Sequence, residues 1–308
     1  MNSMRRTIIA FLALMLLALT LGASTFAWIS IARTSQIESI TLIATLGDKL
    51  EISLDGETYY KDLPAEEMAK VFKKIRLLDV TTTDGKTFTH IKDNVIVEPN
   101  SEYISVDFYF RTESIREKEV YLANNISNEV NYSDSKYPEG TFIVSRGVAE
   151  RATFDFQYGP NEFVQEGEVR VYHASDAIRI STISEINNEE VVKIFDLSGN
   201  EERGYGKPYG AYDYYNKRAG KMLSLPTEIP PTIYELSKFH EDAPFSYDHN
   251  SKLLDLKEEK EFDGKTYYIG KITMNIWLEG WDADSFDPVT GDRIKIQLQF
   301  KAVRNQKN

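Results

Sequence analysis

The chain has 308 residues, with 36 Lys and Arg against 48 Asp and Glu, a formal charge of −12 and no cysteine. That acidic balance excludes a nucleic-acid partner, because phosphates demand a basic footprint. The missing cysteine excludes disulfides, thiolate metal sites and a cysteine nucleophile, so the fold must rest on a conventional core, for which the chain is long enough.

Arg5 and Arg6 precede an uncharged, mostly apolar run from Thr7 to Ala32, closed by Arg33. This is the layout of an export signal, and small residues place its cut between Ala27 and Trp28. The run also exceeds the ~20 residues that cross a ~30 Å hydrocarbon core. Uncleaved, residues 7–32 would anchor the chain in the membrane with Arg5 and Arg6 cytoplasmic. On either reading residues 1–33 are a signal peptide or anchor, and 34–308 form an extracellular domain.

That domain is expected to be all-β: a two-layer antiparallel sandwich, jelly-roll-like, with one amphipathic helix behind the N-terminal hydrophobic helix. Its first apolar segment carries Ile37, Ile40, Leu42, Ala44 and Leu46. Two readings stand: residues 36–54 form a hairpin turning at Gly47-Asp48, or the segment is donated as a strand to the sheet edge of a neighbouring chain. The helix opens at Pro64, with Glu66 and Glu67 in its first turn. Met68, Val71, Phe72, Ile75 and Leu78 make its apolar stripe, expected to lie on the sandwich core.

Strict alternation from Tyr103 to Phe110 predicts a strand with Ile104, Val106, Phe108 and Phe110 on one face. Val169–Tyr172 and Ala177–Ser181 repeat the pattern, which assigns Arg170 and Arg179 to the outer face. Residues 185–265 lack regular periodicity and read as an insertion or long connections. Within them, Tyr209, Tyr212, Tyr214 and Tyr215 could offer aromatic faces to a sugar or partner; the alternative is a loop folded on its own sandwich.

Two clear strands end the chain, Lys271–Leu278 and Arg293–Phe300. Their connection concentrates Glu279, Asp282, Asp284, Asp287 and Asp292, a set of oxygens suited to a hard cation such as calcium. The alternative is a plain acidic hairpin. It is not an EF-hand, since Phe286 and Asp287 take the fifth and sixth places counted from Asp282. No other cofactor is implied. His90, His173, His240 and His249 form no zinc motif, and no nucleophile elbow or phosphate loop occurs, so no catalysis is expected.

The apolar run ending in Gly22-Ala23-Ser24-Thr25-Phe26-Ala27-Trp28 resembles the export signals of TasA/camelysin-like secreted proteins of Firmicutes. Segments 79–88, 177–181 and 276–282 resemble those of further secreted proteins of that group. The resemblance covers about a fifth of the chain and implies a jelly-roll sandwich in cell-surface or biofilm-matrix material of a Gram-positive bacterium. It also implies assembly by N-terminal strand donation. The metalloprotease label of some camelysin relatives finds no zinc motif here. The expected function is therefore an exported, non-enzymatic structural protein that partners itself or other surface proteins. The alternative is an anchored binding module for a glycan, cation or protein.

Overall fold

A computed structural model describes residues 36–45, 50–72, 76–186, 189–241 and 243–304, together with 13 and 15. The chain divides into Met1–Thr34 and Ser35–Asn308, and the fold lies in the second unit. Apart from 13 and 15, the export segment lies outside the described residues, as do its cut at Ala27 and Trp28, and Leu46. Among the described residues no helix is long and apolar enough to cross a membrane.

The strands run in order β1 (Gln36–Thr45), β2 (Leu50–Ser53), β3 (Asp79–Thr81), β4 (Thr89–His90), β5 (Ile104–Thr112) and β6 (Glu117–Leu122). There follow β7 (Phe142–Ser145), β8 (Val148–Arg151), β9 (Phe156–Gly159), β10 (Glu162–Val164), β11 (Val169–Tyr172) and β12 (Ile178–Ile186). The series closes with β13 (Glu189–Phe195), β14 (Thr232–Ile233), β15 (Lys252–Asp255), β16 (Glu258–Phe262), β17 (Lys265–Glu279) and β18 (Arg293–Arg304). Among the described residues from 36 onward, two α-helices interrupt them, α1 (Ala65–Phe72) and α2 (Ala211–Ala219).

The fold is β-rich, as expected, and among the described residues is built on two large sheets, with β8–β11 and β9–β10 as separate two-stranded ribbons. One has five strands, ordered β1-β18-β6-β15 with β7 also on β18. The other has nine, ordered β14-β13-β12-β17-β3-β4, with β5 and β16 also on β17 and β2 on β5. The sheets are mixed rather than antiparallel: β1 on β18, β14 on β13 and β3 on β17 all pair parallel.

Alternation explains the shared core. In β5 every second residue is buried, which turns Ile104, Phe108 and Phe110 inward. From the other sheet, Phe300 of β18 meets Phe110 at 5.0 Å and Phe108 at 6.2 Å between ring centroids. Met68 of α1 and Leu63 join this core, and α1 packs beside β1.

The expected first hairpin does not form. β1 pairs with β18 in one sheet and β2 with β5 in the other, so the chain changes sheet between them. The same happens at the far end. β17 and β18 belong to different sheets, so the acidic segment 280–292 is a corner between layers, not a hairpin. Residues 185–265 supply β13, β14 and β16 to the larger sheet and β15 to the smaller one.

The nine-stranded sheet is covered on both faces near β12 and β17. Opposite the main core, Trp277 packs at 5.0 Å on Phe88, which stacks at 4.0 Å on Tyr103. The turn that carries Phe88 there is a side-chain-closed loop. Thr82 Oγ1 accepts from the Gly85 amide, and Asp84 Oδ1 from the amides of Lys86 and Thr87, each of these last two at 2.8 Å. Ser53, Asp55 and Gly56 repeat this turn after β2. Ser181 and Asn275 both donate to the Gly85 carbonyl, tying the turn to the sheet.

Candidate functional site

The acidic corner is held from inside the protein. Glu279, 1 % exposed, accepts from Trp277 Nε1 at 2.9 Å and from the Trp281 amide at 3.0 Å. Burial pushes its carboxyl up to about 7, against the pull of those donors, Thr81 and Arg179. Asp282 receives Arg179 Nη2, which also lies 2.7 Å from Asp196 Oδ2 as a charge contact without hydrogen-bond alignment. Two buried carboxylates thus share one buried guanidinium. Burial raises both Asp282 and Asp196 above the usual carboxylate range, and the neighbouring Asp284 adds to it.

Arg203 grips the next carboxylate. Its Nε donates to both oxygens of Asp284, at 2.8 and 3.0 Å, while its guanidinium lies 3.8 Å over the Tyr158 ring. Tyr158 in turn stacks on Phe286, with the centroids 6.0 Å apart and the planes 10° from parallel. Arg218 of α2 meets Asp287 at the surface. Asp292 accepts from three amides, those of Gly147 at 2.9 Å, Ala174 at 3.0 Å and Arg293 at 2.7 Å.

The expected cation loop of Glu279, Asp282, Asp284, Asp287 and Asp292 is therefore corrected. Each carboxylate turns to its own arginine or amide donors, and the five do not converge. Among the described residues no group of three or more His, Asp or Glu side chains is placed to hold a metal ion. The histidines are likewise scattered: His90 bonds Glu102 at 2.6 Å, His249 bonds Tyr121 at 2.6 Å, and His240 stacks on Tyr247 at 3.8 Å.

The tyrosine segment is part helix. Gly210 precedes α2 with φ 69°, and Gly220 ends it in the left-handed region. Tyr209 and Tyr214 are buried, whereas Tyr212 and Tyr215 are half-buried. The helix is fixed to the acidic corner through the Ala211 amide, which donates to the Ala283 carbonyl at 2.8 Å. A Cβ on Gly210 would overlap that same carbonyl. Gly210→Ala is thus expected to lose roughly 1–3 kcal/mol from backbone strain alone, with the clash in addition. An unchanged urea midpoint would mean that α2 is not anchored there.

This docking brings the two sequence-predicted segments together. Tyr212, Tyr214 and Tyr215 of α2 and Trp281, Ser285 and Asp287 of the corner line one cleft of about 80 Å³. Its third wall, which no sequence motif announces, is Asp79 at the start of β3, with Ile91 and Lys92 after β4. Gly280 permits this approach, because a Cβ there would overlap Ile91 Cδ1.

The segment expected to be a donor strand is β1. Side chains are described for Ile37 and Ile40 but not for Leu42 and Ala44. Ile40 is buried and Ile37 half-buried, so β1 closes one edge of its own core. Among the described residues it is an outermost strand, and β18 is its only partner in the sheet.

No protein-family model matches the chain, and no curated protein or solved structure matches it.

Proposed function

We propose that the chain is an exported, non-enzymatic surface or matrix structural protein of the TasA/camelysin kind, assembling by exchange of β1 between copies. The jelly-roll description of its sandwich and the N-terminal signal or anchor helix belong to the same proposal. The observation that carries it is the position of β1. It follows directly after the 1–34 unit, lies at a sheet edge and pairs parallel with the chain's own C-terminal strand from Gln36↔Arg293 to Thr45↔Lys301.

A parallel edge pairing is less stable per residue than an antiparallel one. The same ladder is open to an identical strand from another copy, whose main chain would restore every hydrogen bond. Exchange of that sort is heterologous and head-to-tail, so it grows filaments rather than closed rings unless the rotation closes. Convergence of the tyrosine segment and the acidic corner on one cleft supports a binding role beside assembly.

Negative-stain microscopy and sedimentation of residues 28–308 and 47–308 test the reading. Fibres are expected from the longer chain only, and a synthetic 36–45 peptide should restore the edge of the shorter one while blocking growth. Monomers from both chains would overturn it.

A further inference from the structure

The cleft between α2, the corner and the β3–β4 turn has polar groups that the fold leaves unused. Asp79 reaches solvent at its rim, yet its carboxylate has no side-chain partner among the described residues. Asp79 is exposed and Lys92 lies on the same rim. Lys92 forms no ion pair among the described residues, and its Nζ stands 5.8 Å from the Tyr215 ring centroid. An acceptor and a donor thus face one aromatic-walled space. Every other carboxylate lining it, Asp282 and Asp287, is already held by an arginine.

We propose that this cleft binds one neutral sugar ring of a surface polysaccharide. The inference goes beyond the assembly reading and does not depend on it. The charges decide the class: Lys92 repels an organic cation, while Asp79 repels an anion. A neutral pyranose instead offers hydroxyls that donate to Asp79 and accept from Lys92, and an apolar C–H face for Tyr215 or Trp281.

Size agrees, since a space of about 80 Å³ holds roughly six waters at about 10–15 Å³ of centre volume each, the displacement of a single ring. The walls are preformed. Tyr212 Oη donates to the Leu223 carbonyl at 2.8 Å, and Arg218 clasps Asp287.

Titration of the whole 28–308 chain with maltotriose, cellotriose, galactotriose and chitotriose, followed by Trp fluorescence and saturation-transfer NMR, tests the inference. At least one trisaccharide is expected to bind with Kd near about 1 mM or tighter. Tyr215→Ala and Asp79→Asn should each weaken it about tenfold or more without moving the unfolding midpoint, and Lys301→Ala should leave it unchanged. Tyr215→Phe, which keeps the ring, should retain binding and guards against a variant that fails to fold. Competition by the bound trisaccharide against purified wall polysaccharide separates a polymer ligand from a free sugar. No binding at about 10 mM, binding insensitive to both variants, or binding only of tetramethylammonium or phosphate overturns the proposal. Fibre formation is scored separately, so failure here leaves the assembly reading standing.

Discussion

Replacing Arg179 by methionine is expected to destabilise the fold by roughly 3–5 kcal/mol. Arg179 is 3 % exposed and pairs with Asp196 and Asp282, both equally hidden. Its Nη1 also donates to the carbonyls of Asp176 and Ile178, at 3.2 and 3.1 Å. Methionine keeps the stem's packing but leaves two buried carboxylates facing each other without a cation. Lysine should rescue little, because one ammonium cannot reproduce the fork. Adding Asp196→Asn and Asp282→Asn to Arg179→Met should recover most of the loss, since an uncharged cluster no longer needs the guanidinium. Urea unfolding at neutral pH measures all three. A loss under about 1 kcal/mol for the single variant would mean that the cluster is hydrated like a surface pair.

The second large effect is in pH. Glu279 releases its proton near 4.5 when unfolded and near 7 when folded. Below 4.5 both states are protonated and the residue has no pH effect. Between 4.5 and 7 the unfolded chain is ionised while the folded chain still holds the proton, so rising pH favours unfolding. Above 7 the full cost is present, roughly 3 kcal/mol. Relative to Glu279→Gln, which does not titrate, the wild type should lose that amount between pH 4.5 and 7 and nothing further beyond. Parallel stability profiles for the two proteins would show that Glu279 is already ionised in the folded state across this window.

How far the sequence speaks depends on whether a side chain's environment is local. Strands β5, β17 and β18 are legible because alternation alone decides which side chains enter the core. Arg179 defeats the same rule. Alternation puts it on the face away from Ile178 and Ile180, correctly, but that face is roofed by the acidic corner and so is not a solvent face. Trp277, Ser181 and Asn275 lie on the same face under the turn between β3 and β4, and the pattern of one strand holds no trace of either cover.

Arg170 and its neighbours invert the expectation as well. Val169 and Val171 are 52 % and 55 % exposed, because β11 pairs only with β8 in a two-stranded ribbon off the main sheets. Neither apparent hairpin was distinguishable from a sheet change, since a short connection fits both. Helix α2 left a signal that tyrosine content obscured: Gly210 and Gly220 as stops, with Lys217 and Arg218 in the last turn. Of the cleft, the tyrosines and the corner were visible as two separate segments. Asp79 and Lys92 join them only through the parallel pairing of β3 with β17, which no local motif encodes.

The central claim is that β1 passes between copies, and the absence of native cysteine gives it a direct test. Ser39 stands opposite Lys295 in the β1–β18 ladder. Two single-cysteine proteins, Ser39→Cys and Lys295→Cys, are mixed and oxidised under assembly conditions. Strand exchange predicts a disulfide-linked heterodimer that neither protein forms alone, lost when residues 36–45 are supplied in excess as a peptide. No heterodimer in the mixture, with efficient closure in the double-cysteine chain, would show that β1 stays in its own sheet and would contradict the account.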